Sequence, residues 1–169
     1  MANTLNDEYE RLLQERALEV LPEADLEGNA ALFNVMRVAN VIGRDLEQHV
    51  HRNNGSSRAG FRIMLVVWVM GPQSQKDLAS FANVTAATIS SVLNTLDDEG
   101  LIVRTRNSTD RRIVNIELTA AGEKAVSELY RLHLQREAQW LAGLSEKMKQ
   151  QLVMISRQIL RTRPPYSKE

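Results

Sequence analysis

The chain contains no cysteine among its 169 residues. That excludes disulfides, zinc sites built on thiolate and any thiol redox switch. Charge of a single sign is also lacking. Lys+Arg and Asp+Glu number 21 each, for a formal net charge of zero, so attraction to a polyanion has to come from where charges sit and not from their sum. Long hydrophobic runs are missing. The longest, Ile63 to Met70, is far short of the roughly 20 residues a bilayer span requires, and no membrane partner is expected. The opening MANTLNDEYERLLQ is acidic and mixed, with no basic start leading into an apolar core, so no signal peptide is read and a cytoplasmic location is expected. His49, His51 and His133 fall in two helical segments without metal-ligand spacing, and neither metal nor cofactor is expected. There is no glycine-rich phosphate loop and no G-x-S-x-G elbow. The adjacent acids Asp97 and Asp98 face different directions on a helix and make no catalytic pair. Catalysis is therefore not expected.

What is present reads as a globular, mainly helical chain: 43% hydrophobic and 25% charged residues exclude global disorder. Apolar residues predict a helix over 5–20, stopped by Pro22, with Gly28 marking a break. A second helix is expected over 30–51, and a third from a Ser56 or Ser57 cap to Met70, closed by Gly71-Pro72. The third is apolar almost all round and should be central. Two short helices follow, Gln75–Ala82 behind the capping residue Ser74, then one capped by Thr85 and ending at Glu99-Gly100. The period then changes to two. Leu101, Val103 and Thr105 alternate with polar residues, as do Val114, Ile116 and Leu118, around the turn Asn107-Ser108-Thr109-Asp110, which predicts a hairpin. Thr119 and Ser145 each cap a closing helix, to about 142 and 160.

Helix–short link–helix–hairpin is where function concentrates. With its apolar positions removed, the second short helix is left with Ala86, Ala87, Thr88, Ser90, Ser91, Asn94 and Thr95, a small, mostly polar surface suited to a major groove. Thr85 at its start joins this set. Within the nine residues 104–112 the hairpin carries Arg104, Arg106, Arg111 and Arg112 against one acid, Asp110. Guanidinium groups on a hairpin reach phosphates or a minor groove. Asp110 is expected to fix an arginine fork rather than touch DNA. The reading helix itself has no Lys or Arg and ends in Asp97-Asp98-Glu99, so guanine readout by arginine from this helix is absent.

Asp110-Arg111-Arg112, then Ile113 to Glu117 and Leu118-Thr119-Ala120-Ala121-Gly122, resembles the wing and helix start of the MarR (multiple antibiotic resistance regulator) family. Ser74 to Ala79 and Leu93 to Ile102 match that family's pattern as well. The resemblance implies a winged helix-turn-helix, mainly α with a two-stranded β-wing, flanked by N- and C-terminal dimerisation helices. It implies three segments: 1–53 (part of the dimerisation lobe), 56–118 (DNA-binding lobe) and 119–169 (dimerisation helices). It implies a homodimer on a pseudo-palindromic operator in double-stranded DNA, and a repressor released by a small, often aromatic or phenolic, ligand. Leu144, Met148, Leu152, Ile155 and Ile159 recur at helical spacing and suit the dimer seam, with Leu12, Leu13 and Leu18. The effector crevice implied by the resemblance falls on Asn34, Arg37, Val38 and Val41 of one helix and Phe61, Met64 and Trp68 of the next. Core packing is the competing explanation for that spacing. A ligand-independent architectural DNA-binding protein is the alternative function, permitted by the uncharged reading helix.

Overall fold

The computed structural model describes residues 2–82, 86–106, 114–162 and 164, with the side chains of 2–5, 82 and 86 excepted. Among the described residues, seven α-helices and three short strands follow in the order α1 (Ala2–Val20), α2 (Leu26–Leu46), α3 (Arg58–Met70), β1 (Gln73–Ser74), α4 (Gln75–Ala82), α5 (Ala86–Asp98), β2 (Ile102–Arg106), β3 (Val114–Leu118), α6 (Ala120–Trp140) and α7 (Glu146–Arg161). A π-turn over Glu47–His51 and a 3-10 turn over Arg52–Asn54 lie between α2 and α3. The chain divides into two compact units, Met1–Glu47 and Gln48–Glu169.

In the first unit α1 and α2 pair through Tyr9 and Phe33, whose rings are 5.8 Å apart, and through the Asn34 amide, which donates to Glu10 at 2.8 Å. The expected break at Gly28 is not there. Asp25 caps α2 four residues earlier than the apolar period suggests, its carboxylate accepting from Gly28 N at 2.9 Å. The glycine belongs to the first turn, where a Cβ would lie 2.3 Å from that carboxylate. Absence of a side chain, not a need for a bend, accounts for Gly28.

The core of the second unit lies among α3, α4, α5, α6 and the sheet. Ile63, Met64, Leu78, Leu93 and Val126 are completely buried there. α3 is the element that the others pack on, as its nearly all-round apolar sequence requires. Beside it the fully buried ring of His51 lies 4.9 Å from Phe61 and 5.7 Å from His133. His133 Nε2 in turn is 3.1 Å from the Glu137 carboxylate. Serine and threonine caps stand where the sequence puts them. Ser57, Thr119 and Ser145 accept from Gly60 N, Gly122 N and Met148 N, and the Ser74 hydroxyl accepts from Asp77 N and donates to its carboxylate.

The sheet differs from expectation in two respects. It has three strands in the order β1-β3-β2, all antiparallel, because Gln73 and Ser74 add to the free edge of the hairpin opposite Ile116 and Asn115. Two polar residues carry no periodic signal, so nothing in the sequence marks them. The phase of β2 is also shifted by one. Ile102 is the buried residue and Val103 is 41% exposed, so Ile102, Arg104 and Arg106 share one face and Val103 lies on the other, while Leu101, just before the strand, is partly buried against the core. A one-residue shift exchanges the faces of a strand. Arg104 thereby lands on the inward side, opposite Ile116.

Candidate nucleic-acid interface

α5 is held by Ile89, Leu93 and Leu96, all buried, at the four- and three-residue steps of one helical face. Gly100, at φ +69°, ends the turn after it in the left-handed conformation and hands the chain to β2. The opposite face of α5 is exposed at Ala87, Thr88, Ser90, Ser91, Asn94 and Thr95. Thr85 lies outside the described residues, and so does the side chain of Ala86. Hydroxyls on this face are engaged locally. Ser90 Oγ accepts from Gln75 Nε2 of α4 at 2.8 Å, and Thr95 donates to the Ser91 carbonyl at 3.2 Å.

The shift in β2 decides where Arg104 goes. Its Nη2 donates to Asn94 Oδ1, while its Nε lies 3.1 Å from Asp97 Oδ2. One guanidinium therefore spans two residues three apart on α5 and ties the base of the hairpin to the reading helix. The acid paired with Arg104 is Asp97, which the sequence marked only as part of the acidic end of the reading helix. The missed signal was Asn94-x-x-Asp97 facing a strand arginine, and it becomes readable once Ile102 is taken as the inward residue. Arg106 is exposed at the end of β2. Asp110, Arg111 and Arg112 lie outside the described residues. Across the hairpin the Thr105 hydroxyl donates to the Glu117 carboxylate.

The residues expected to line an effector crevice fall in both units. In the first, Asn34 donates to Glu10 and to the Ala30 carbonyl, Arg37 is half-buried, and Val38 and Val41 are exposed. In the second, Phe61 and Met64 are buried in the core. Trp68 is 42% exposed, its ring edge-on to Tyr130 at 5.9 Å. Among the described residues no helix is long and apolar enough to cross a membrane.

A short helix docked behind α4, followed by a hairpin braced against it, defines a winged helix-turn-helix. The MarR family model matches residues 57–114, which run from the cap of α3 into β3. Over 129 residues the chain is 30% identical to a putative transcriptional regulatory protein for the hcr operon of Thauera aromatica, covering 76% of this chain and 78% of the relative. It is 26% identical over 125 residues to the transcriptional repressor YetL of Bacillus subtilis, covering 73% and 72% respectively. Two solved structures share the fold. One is the MepR–DNA complex of Staphylococcus aureus (TM-score 0.68, 21% identity, 78% of this chain and 96% of that one). The other is NadR with 4-hydroxyphenylacetate (TM-score 0.66, 21% identity, 78% and 92%). The protein is a DNA-binding transcriptional regulator. It belongs to the MarR family.

Proposed function

We propose that the chain acts as a homodimer on a pseudo-palindromic operator in double-stranded DNA and represses transcription until a small aromatic or phenolic ligand releases it. The observation that carries the DNA part is the exposed face of α5, polar and small, standing over a buried face that fixes its position. In this reading Thr85 to Thr88, Ser90, Ser91 and Asn94 choose the sequence, while Arg106, Arg111 and Arg112 supply most of the phosphate attraction. Arg104 differs from them, its charge being shared with Asp97. Segments 1–53 and 119–169 form the dimerisation part around the DNA-binding lobe 56–118. α7 supports this. It has no buried residue within the chain, yet Met148, Leu152, Ile155 and Ile159 make an exposed stripe along it. An apolar stripe of that length on a stable protein is ordinarily covered by a partner. Repression accords with the name of YetL, and an aromatic ligand with the structure of NadR. No cofactor or metal enters the reading.

Arg111→Ala and Arg112→Ala test the wing. Each should weaken operator binding and flatten the dependence of log affinity on log salt by about one unit, the loss of one phosphate contact. Mobility shifts over a salt series measure this, and unchanged binding by both variants overturns the assignment. The same titration against bulk competitor DNA addresses the architectural alternative, since a specificity ratio near one would replace the operator reading. For the effector, a thermal-shift screen of aromatic carboxylates and phenols should find a compound that raises the melting temperature, by about 2–3 kcal/mol of linkage at 100 times its Kd. In a Trp140→Phe background, which leaves Trp68 as the emitting tryptophan, quenching by that compound would place it at α3. A hit that leaves Trp68 emission unchanged would move the ligand elsewhere.

A further inference from the structure

Ser90, Asn94 and Asp97 follow one another at steps of four and three, so they lie along one edge of α5. Each is bonded to a side chain from another element. Asn94 and Asp97 meet Arg104 of β2. Ser90 meets Gln75 of α4 at 2.8 Å. Gln75 and Arg104 therefore stand in succession beside the same edge. Gln75 is well anchored for a surface residue. It follows Ser74, whose backbone pairs with Asn115 in the sheet and whose hydroxyl accepts from Asp77 N. Three residues on, Leu78 is completely buried. Gln75 itself is exposed. A glutamine amide has two N–H donors and an oxygen that accepts. One N–H goes to Ser90 Oγ, and among the described residues the side chain makes no other bond. The second N–H is left at the rim of the face that α5 presents. Asp77, the one acid of α4, is bonded to the Ser74 hydroxyl.

From this geometry we infer that Gln75 is a DNA-binding residue: its second N–H donates to a phosphodiester oxygen on the strand bordering α5, and Ser90 holds the amide in place to do so. The major groove is about 12 Å wide, and a helix with its side chains is about 10–12 Å across. A helix that fills the groove has a phosphate strand along each edge, and a group fixed level with that edge meets phosphate before base. Phosphate oxygens accept, which suits a donor. Neutral amides are ordinary phosphate ligands, and such contacts fix register without carrying sequence information. Because the donor is uncharged, it releases no counterion, which sets Gln75 apart from the wing arginines. The inference rests on the proposal that α5 enters the major groove, and the experiment separates the two.

Binding sites are selected by the full-length chain from a randomised duplex pool, and affinities are then measured over a salt series. Gln75→Ala should bind about fivefold more weakly, one hydrogen bond of roughly 1 kcal/mol. The factor should be the same on the selected site and on versions with single base pairs exchanged, and the slope of log affinity against log salt should not change. Single methylphosphonates placed through one half-site locate the contact. At one phosphate the wild type should lose about threefold or more beyond what Gln75→Ala loses, since the variant has no bond there to give up. In a Ser90→Ala background that difference should shrink, because the amide has lost its tether. Gln75→Glu can still accept from the Ser90 hydroxyl but sets a carboxylate against the phosphate. It should bind more weakly than Gln75→Ala and regain affinity when that one phosphate is made neutral, which a role in folding alone would not produce. This variant carries the test if the alanine variant fails to fold. Unchanged affinity in Gln75→Ala overturns the inference. So does a loss confined to particular base pairs, or a methylphosphonate scan in which wild type and variant lose equally at every position. Failure of the wild type to select any site would instead overturn the groove reading beneath it.

Discussion

Leu152→Glu combined with Ile155→Glu should leave the chain monomeric and lower its affinity for a palindromic operator by at least about 100-fold. Joining two reading heads makes the second binding event intramolecular, and the gain over a single head is on the order of 10²–10⁴ without any new contact. One helix-turn-helix covers only a few base pairs, and half-sites a helical turn apart are what a two-fold dimer recognises. The two residues suit the test because neither is buried within the chain, at 46% and 52% exposed. Their replacement takes little from the monomer's own packing. It places two carboxylates on the stripe that runs from Met148 to Ile159, where a partner would have to desolvate them. Sedimentation should show the 19.1 kDa species alone at micromolar concentration, with an unchanged helical circular dichroism spectrum. A wild type that already sediments as a monomer, or a double variant that binds the palindrome as tightly as the wild type, would remove the dimer from the account.

The second large effect is on stability. Gly122→Ala should destabilise the second unit by about 2–4 kcal/mol, the range of overpacking against a neighbour that cannot give. Gly122 is buried in the first turn of α6, and a Cβ there would lie 2.0 Å from the Leu101 carbonyl oxygen. That carbonyl is not a flexible end. It accepts from Thr119 N at 3.1 Å, and the Thr119 hydroxyl donates to the Gly100 carbonyl at 2.7 Å while accepting from Gly122 N at 3.0 Å. A methyl group at 122 has to push apart the junction where α5, β2 and α6 meet. The melting temperature should fall by roughly 5–15 °C for a chain of this size. Gly143→Ala is the control. Nothing lies within 4 Å of its added Cβ, and its φ is not in the left-handed region, so a change within about 0.5 kcal/mol is expected. Equal melting of the two variants and the wild type would show that the α5–α6 junction is looser than its geometry implies.

Most helices, and the caps of α3, α6 and α7, were legible in the sequence because both signals are local, while the Asp25 cap of α2 was missed. Ser57, Thr119 and Ser145 sit one residue before apolar periods and cap them in space. The exposed face of α5 was legible for the same reason, a 3.6-residue period with Ile89, Leu93 and Leu96 inside. Apart from the start of α2, what failed depends on partners distant in sequence. Val103 and Ile102 are both β-branched, so alternation alone could not say which faces in, and the answer comes from packing against the helices. Gln73 and Ser74 become a strand only because β3 offers an edge. The bond from Arg104 to Asn94 and Asp97 needed both the strand phase and the helix face, and an error in the first hid it. Phe61 and Met64, named both for a ligand wall and for core packing, lie in the core of the second unit.

The Arg104 fork has a consequence for engineering. Winged-helix regulators invite transplantation, in which the outward residues of one reading helix are replaced by those of another to redirect it to a new operator. Here α5 is not a detachable cassette. A transplant that overwrites positions 94 and 97 leaves the position-104 cation facing whatever arrives, and one that keeps them imports the old amide orientation into the new site. Positions 94, 97 and 104 would have to be exchanged as a set, across a helix and a strand.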